Sequence, residues 1–122
     1  MNKTQTNKQY DLEERTFQFA KNIALYAKQL PKNISNLEYG KQVIRASGSV
    51  GANYIEANES LSKKDFIMRI KICRKEAKET AYWQRLIVET NDENYGQEGM
   101  ALHNEAVELK KIFSSILTKS ES

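Results

Sequence analysis

The chain has 122 residues, of which 39% are apolar and 29% charged, so it is long enough to form one domain with a substantial core. Its 19 basic and 16 acidic residues give a small positive excess that excludes no class of partner by itself. Because the sequence has no apolar run near 20 residues, no secretory signal pattern and one cysteine, we expect a cytoplasmic protein without a membrane span or a disulfide framework.

Residues 1–10 are polar and aperiodic, and we expect a disordered N-terminal tail there. The first helix is predicted to begin at Asp11, because Asp11 and Glu14 have the spacing of a capping box, and to end at Pro31. Between these two points apolar residues recur every three or four positions on one face: Leu12, Phe19, Ile23, Tyr26 and Leu30.

The second helix is predicted to begin at Ser35, where Ser35 and Glu38 form another capping-box pattern. Its predicted buried face holds the apolar residues Leu37, Ile44, Val50, Tyr54 and Ile55. Small or short side chains follow the middle of that face and would let another helix approach closely: Gly40, Ser47, Gly51 and Asn58. Gly48 lies off this line, and the alternative to one continuous helix is a break near Gly48.

The third helix is predicted to begin after Ser62, with Asp65 at its third position, and to end near residue 90 before the turn N-D-E-N-Y-G. The fourth helix covers about residues 97–118 and carries the apolar stripe Leu102, Ala106, Leu109, Phe113 and Ile116. No useful length of chain alternates with a period of two. We therefore predict an all-α fold, an antiparallel up-down four-helix bundle over residues 11–119.

The third helix has three distinct faces when it is projected at about 100° per residue. The core face holds Phe66, Ile70, Cys73, Ala77, Thr80 and Val88. A second arc is basic and holds Lys63, Lys64, Lys71, Arg74, Lys75, Lys78 and Arg85. Residues 63–85 contain eight basic and three acidic residues, a charge of +5 against +3 for the whole chain. Such a one-sign stripe is the electrostatic footprint of nucleic-acid binding, and the alternative is a solvated face.

The third arc lies nearly opposite the core face and is apolar: Met68, Ile72, Trp83 and Leu86. A monomeric bundle has no evident use for apolar residues there, so we predict an interface with a second subunit. The alternative is that the core contact of this helix is unusually wide, or that the projection is offset.

The sequence contains no pattern of catalytic, cofactor-binding or metal-ligating residues. We therefore expect that the protein is not an enzyme. Glu56 and Glu59 are spaced as a carboxylate pair, but only a pocket that also gathered His103 would indicate catalysis or a metal. Glu76 and Glu79 are interpreted as surface or inter-subunit ion-pair partners. Cys73 lies on the core face, where a buried apolar role is expected.

Two segments carry a family resemblance. The first is R-x-S-x-S-V-x-x-N-x-x-E, here Arg45, Ser47, Ser49, Val50, Asn53 and Glu56, and the second is E-A-x-E-T-x-Y-W, which ends at Trp83. Over residues 10–90 the chain resembles the bacterial four-helix-bundle family first noticed as proteins encoded in intervening sequences of 23S ribosomal RNA genes. The resemblance implies a homo-oligomer, since related bundles form pentameric rings. The accessory protein of diversity-generating retroelements is similar, and it assists a nucleic-acid enzyme, a reverse transcriptase.

Together these features predict a non-enzymatic, homo-oligomeric four-helix bundle, with a pentamer implied by the resemblance. The basic stripe of the third helix would bind RNA or DNA with low sequence specificity, and a nucleic-acid enzyme is the protein partner this interpretation implies. The alternative is a protein-interaction scaffold whose basic face binds an acidic protein partner and no nucleic acid.

Overall fold

The computed structural model describes residues 8–121, with side chains described from residue 12. Within these residues the elements are α1 Lys8–Gln29, α2 Ile34–Asn58, α3 Lys63–Glu89, a short 3-10 turn Glu93–Tyr95 and α4 Gly96–Glu121. This part of the chain contains no strand, and the all-α prediction is confirmed. α1 begins at Lys8, before the predicted start. The rest of the predicted tail and the Asp11 side chain of the predicted capping box lie outside the described residues.

The starts of α2 and α3 are fixed by short polar side chains. Ser62 caps α3, since its Oγ accepts a hydrogen bond from the Asp65 amide at 3.1 Å, as predicted. α2 is capped by Asn33, whose Oδ1 accepts from the Asn36 amide at 2.9 Å. The predicted cap by Ser35 is wrong, because Asn33 is the residue with extended backbone and Ser35 already lies inside the helix.

Contacts between the helices show that neighbours run antiparallel. From α2 to α3, Asn53 meets Arg69 and Tyr39 meets Trp83, so one residue number falls as the other rises. α3 and α4 are also antiparallel, since Lys71 contacts Glu121 and Gln84 contacts Gly99. The contacts of α1 with α2 and with α4 follow the same antiparallel order. The up-down bundle is therefore confirmed. No helix within residues 8–121 combines the length and apolarity needed to cross a bilayer.

The core runs along the bundle axis and takes residues from all four helices. The whole predicted stripe of α1 is buried. On α4 four of the five predicted residues are buried, while Ile116 is half-buried and Leu117 takes the inner position. The largest fully buried side chains include Tyr26, Ile70 and Phe113. Because each helix buries one stripe against its neighbours, most of the stability comes from this shared apolar contact.

The buried face of α2 is rotated from the predicted one. Leu37, Ile44 and Ile55 were expected in the core but are about half exposed. The buried apolar residues are instead Val43, Ala46, Val50, Tyr54 and Ala57. α2 lies between α1 and α3, and small side chains such as Ala46 and Ser47 let both neighbours approach. Apolar residues lie on much of the helix circumference, so hydrophobicity alone did not fix its orientation.

The glycines of α2 do not interrupt it, and the prediction of one continuous helix is confirmed. A Cβ at Gly51 would lie 3.0 Å from Thr16 Oγ1, so this glycine allows the close approach of α1. Gly48 is exposed, and a Cβ there would meet nothing within 4 Å. Packing against two neighbours stabilises the helix enough to tolerate the poor helix propensity of glycine.

Candidate nucleic-acid interface

The seven basic residues predicted on α3 form a solvent-facing stripe. All are exposed except Arg74, which is half-buried. Residues 63–85 span about 33 Å along a straight helix, since each residue adds about 1.5 Å. The stripe is therefore a rigid row of positive charge about as long as one turn of a nucleic-acid duplex.

Few carboxylates neutralise this basic stripe. Lys71 pairs with Glu121 at 3.6 Å, Lys75 with Glu76 at 3.9 Å and Arg85 with Glu89 at 2.9 Å. Most of these groups are exposed, and surface pairs of this kind are worth at most about 1 kcal/mol. The other four residues make no ion pair with the described part of the chain: Lys63, Lys64, Arg74 and Lys78. A phosphate group can therefore reach the stripe without first breaking a strong internal contact.

The basic stripe borders α4, and α4 adds a cation that the sequence did not point to. Glu121 of α4 contacts Lys71, which identifies the face of α4 that lies beside the stripe. Lys110 precedes Glu121 by eleven residues, close to three full helical turns, so it lies on the same face. It is half-buried there. Helical spacing could have identified Lys110 from the sequence only if it had been known that α4 packs beside the basic stripe.

The four residues predicted as a subunit interface do not share one environment. Met68 is 50% exposed, and Ile72 and Leu86 are half-buried. Trp83 packs against the core of its own bundle, with its ring centroid 5.9 Å from that of Tyr39 on α2. Its indole N–H donates to Glu79 at 2.9 Å. Trp83 therefore serves the α2–α3 contact, while Met68 remains available to a second subunit.

A second exposed apolar surface lies on α2 and was missed because its three large apolar residues were assigned to the core. We call it the α2 outer stripe; it consists of Leu37, Ile44, Gly48 and Ile55. Their spacing of seven, four and seven residues puts them on one line along the helix. Because α2 and α3 are adjacent and antiparallel, Ile55 lies at about the same position along the bundle axis as Met68. The α2 outer stripe and Met68 are therefore on adjacent helices.

Several residues of the two family segments join α2 to α3. The Arg45 guanidinium of α2 donates to Glu79 and, at 3.4 Å, to Glu76 of α3. Asn53 accepts a hydrogen bond from Arg69 at 2.9 Å and donates to Ser49. Glu76 is 7% exposed, so the interpretation of this pair as surface or inter-subunit residues is corrected: both carboxylates bind Arg45 of the same chain.

Glu79 is held in its charged form by this cluster. The hydrogen bond from Trp83 is the main cause that lowers the pKa of Glu79 below 4.5, and Arg45 lowers it further. A carboxylate with a lowered pKa stabilises the folded state above its unfolded pKa, and this stabilisation is lost as the pH falls through the folded value.

Replacing Arg45 with alanine should lower the free energy of unfolding by about 1–3 kcal/mol at neutral pH, because the buried Glu76 carboxylate loses a charged partner. The part of this deficit that comes from Glu79 should shrink as the pH falls through the lowered folded-state pKa of Glu79, because the protonated carboxyl no longer pairs with Arg45. Urea unfolding of the wild type and the variant at neutral and acid pH measures both the loss of stability and its pH dependence.

Lys41→Ala is the matched control, since Lys41 and Glu38 form an exposed pair on the same helix and should contribute less than about 0.5 kcal/mol. Equal losses in the two variants would contradict the role given to Arg45.

The remaining candidate groups do not converge. Glu56 and Glu59 are exposed where α2 ends and α3 begins, whereas His103 lies near the start of α4, beside the far end of α3. The ends of a 27-residue helix lie about 40 Å apart. Within residues 8–121 no group of three His, Cys, Asp or Glu side chains is placed to hold a metal. Cys73 is buried as predicted, and burial raises the pKa of its thiol to about 12.

The helical bundle agrees with comparisons to known proteins. Residues 8–115 match the family described as 23S rRNA-intervening sequence protein. The chain belongs to this family. It is also similar to the crystal structure of a protein of unknown function from the S23 ribosomal protein family of Bacteroides thetaiotaomicron. The two are 30% identical, the match covers 92% of this chain and 99% of the other, and the TM-score is 0.75. No match was found among curated proteins.

Family membership confirms the predicted resemblance, and it extends the match through most of α4. Four of the residues that carried the resemblance bond across the α2–α3 contact: Arg45, Asn53, Glu76 and Glu79. In this chain these residues therefore hold α3, and with it the basic stripe, in position on the bundle.

Proposed function

We propose that this member of the family is a non-enzymatic, homo-oligomeric bundle in the cytoplasm that binds RNA or DNA with low sequence specificity. The basic stripe of α3 is the binding surface. The observation that carries the proposal is the position of seven basic residues on one exposed arc, four of them without a carboxylate partner in the described residues.

The chemistry of the stripe supports binding to phosphates in preference to bases. Lysine acts as a point charge, and five of the seven residues are lysines. Contacts to phosphate position a protein on nucleic acid but carry no sequence information. In an oligomer the stripes of several subunits would act on one strand, which raises avidity without any new contact. A nucleic-acid enzyme that works on the same strand is the protein partner this proposal favours.

Fluorescence anisotropy tests the binding proposal directly. Random single-stranded RNA and duplex DNA of equal length are titrated with the purified protein at 50 mM and 200 mM salt. Micromolar binding that weakens steeply with salt is expected, because each phosphate contact releases counterions. Absence of binding even at 50 mM salt would overturn the proposal and favour a scaffold that binds an acidic protein.

The homo-oligomer rests on apolar side chains that the single subunit leaves exposed, namely Met68 and the α2 outer stripe. We expect light scattering of the wild type to give a multiple of 14.1 kDa, with five subunits as the expectation from related bundles. Met68→Glu and Ile44→Glu should each lower that mass, because a charge would be buried in the interface. Leu25→Glu is the matched control, since Leu25 is similarly exposed but lies on α1. A monomeric wild type would rule out the oligomer.

A further inference from the structure

An exposed aromatic ring interrupts the basic stripe of α3. Tyr82 is 59% exposed. It follows Lys75 by seven residues and Lys78 by four, and it precedes Arg85 by three, so it lies on the same arc as these cations. The Tyr82 ring does not contribute to the core, because the neighbouring core positions on α3 are occupied by Thr80 and Gln84.

The Tyr82 ring is held in place from one side. Its centroid lies 5.1 Å from that of Trp83, with 74° between the two planes. Trp83 is in turn fixed by Glu79 and Tyr39. A ring that is already ordered loses little conformational entropy when a ligand stacks on it, which favours binding.

Tyr82 also forms one wall of a shallow recess of about 210 Å³, which it shares with Arg85, Leu86 and Glu89. The recess combines an aromatic ring, an apolar side chain and a polar edge. Glu89 repels a phosphate group there, but its oxygens can accept a hydrogen bond from an amino or ring N–H group of a base. The lysines on the other side of Tyr82 offer the opposite chemistry, since they attract phosphates and have no acceptor.

We infer that Tyr82 stacks on an unpaired base, so that the α3 surface prefers single-stranded nucleic acid over a duplex. This inference rests on the proposed nucleic-acid binding and adds the form of the ligand to it. The phosphates lie along Lys71, Lys75 and Lys78, and a base turns into the recess beside Tyr82. Bases in a duplex are already stacked and paired, so they are not free to enter.

The test compares Tyr82→Ala and Tyr82→Phe with the full-length wild type at 50 mM salt. The probes are a fluorescein-labelled oligo(dT) strand, an abasic strand of the same length, and a duplex of that length. Stacking is worth about 1–3 kcal/mol per base, so Tyr82→Ala should weaken oligo(dT) binding at least about 5-fold. Tyr82→Phe should stay within about twofold of the wild type. Binding of the abasic strand should be the same for all three proteins.

Each outcome separates this inference from the proposed function. If the wild type binds oligo(dT) and the abasic strand equally, or Tyr82→Ala binds oligo(dT) as the wild type does, the stacking role is overturned while phosphate binding stands. If the wild type binds none of the three probes, the proposed function itself fails. If Tyr82→Ala changes the mass measured by light scattering, Tyr82 belongs to a subunit contact and the inference is likewise overturned.

Discussion

Replacing Lys71, Arg74 and Lys78 with glutamate should lower the affinity for single-stranded RNA at least about 100-fold at 0.1 M salt. Affinity for a single strand changes with salt by a slope of about −0.7 for each phosphate contact. Three phosphate contacts therefore raise the affinity by about two orders of magnitude when the salt concentration falls from 1 M to 0.1 M. The reversed charges add repulsion to this loss. For the binding that remains, the slope of log affinity against log salt concentration should be smaller in magnitude by about two.

The fold should survive this change, because the three side chains are exposed or half-buried and the one ion pair they lose, Lys71 with Glu121, is a surface pair. Circular dichroism checks the helicity. A matched control reverses three exposed lysines outside α3, namely Lys21, Lys32 and Lys41, and so changes the net charge equally. Equal losses by the two triple variants would show that only total charge matters and would remove α3 from the site.

Gly99→Ala should cost the bundle about 2–4 kcal/mol of unfolding free energy, although the residue lies in a helix where alanine is normally better. A Cβ at this position would come closer than 3.0 Å to Tyr26 Oη and to Val88 Cγ2. Tyr26 is fully buried, and its hydroxyl donates to the Tyr95 carbonyl at 2.9 Å. Overpacking costs about 1–3 kcal/mol, and a displaced hydroxyl would add the penalty of an unpaired buried group.

Gly40→Ala is the matched control, because Gly40 is buried in the interior of α2 and a Cβ there would meet nothing within 4 Å. Here alanine should stabilise the bundle by about 0.5–1 kcal/mol through its better helix propensity. Thermal and urea unfolding of both variants measures the difference. A tolerated Gly99→Ala would contradict the close contact of α1, α3 and α4 at Tyr26.

The positions that sequence reasoning placed correctly are those where a single helix decides the outcome. The Ser62 cap depends on Asp65 three residues later, and the stripe of α1 from Leu12 to Leu30 depends only on the helical period. The basic arc of α3 belongs to the same class, since seven charges on one face of a helix cannot all be buried. Local chemistry and periodicity are sufficient in these cases.

Errors arose where two helices compete for the same residues. The face of α2 was assigned from large apolar side chains, but α1 and α3 both pack on its small residues and leave Ile44 and Ile55 outside. Glu76 and Glu79 were treated as surface groups, because only tertiary packing brings Arg45 across from α2. Tyr82 was not singled out for the same reason, since its exposure depends on where α2 and α4 end up.

The amino-acid sequence by itself determined four helices, their order and the concentration of positive charge on α3, because these follow from caps, periods and composition. Only the tertiary structure decided which apolar side chains remain exposed, which carboxylates are neutralised and which cation of α4 lies beside the stripe. These properties depend on the angle at which each helix turns toward its neighbours. That angle is set by the fit of small side chains such as Gly51 and Gly99, a quantity that the pattern of one helix does not contain.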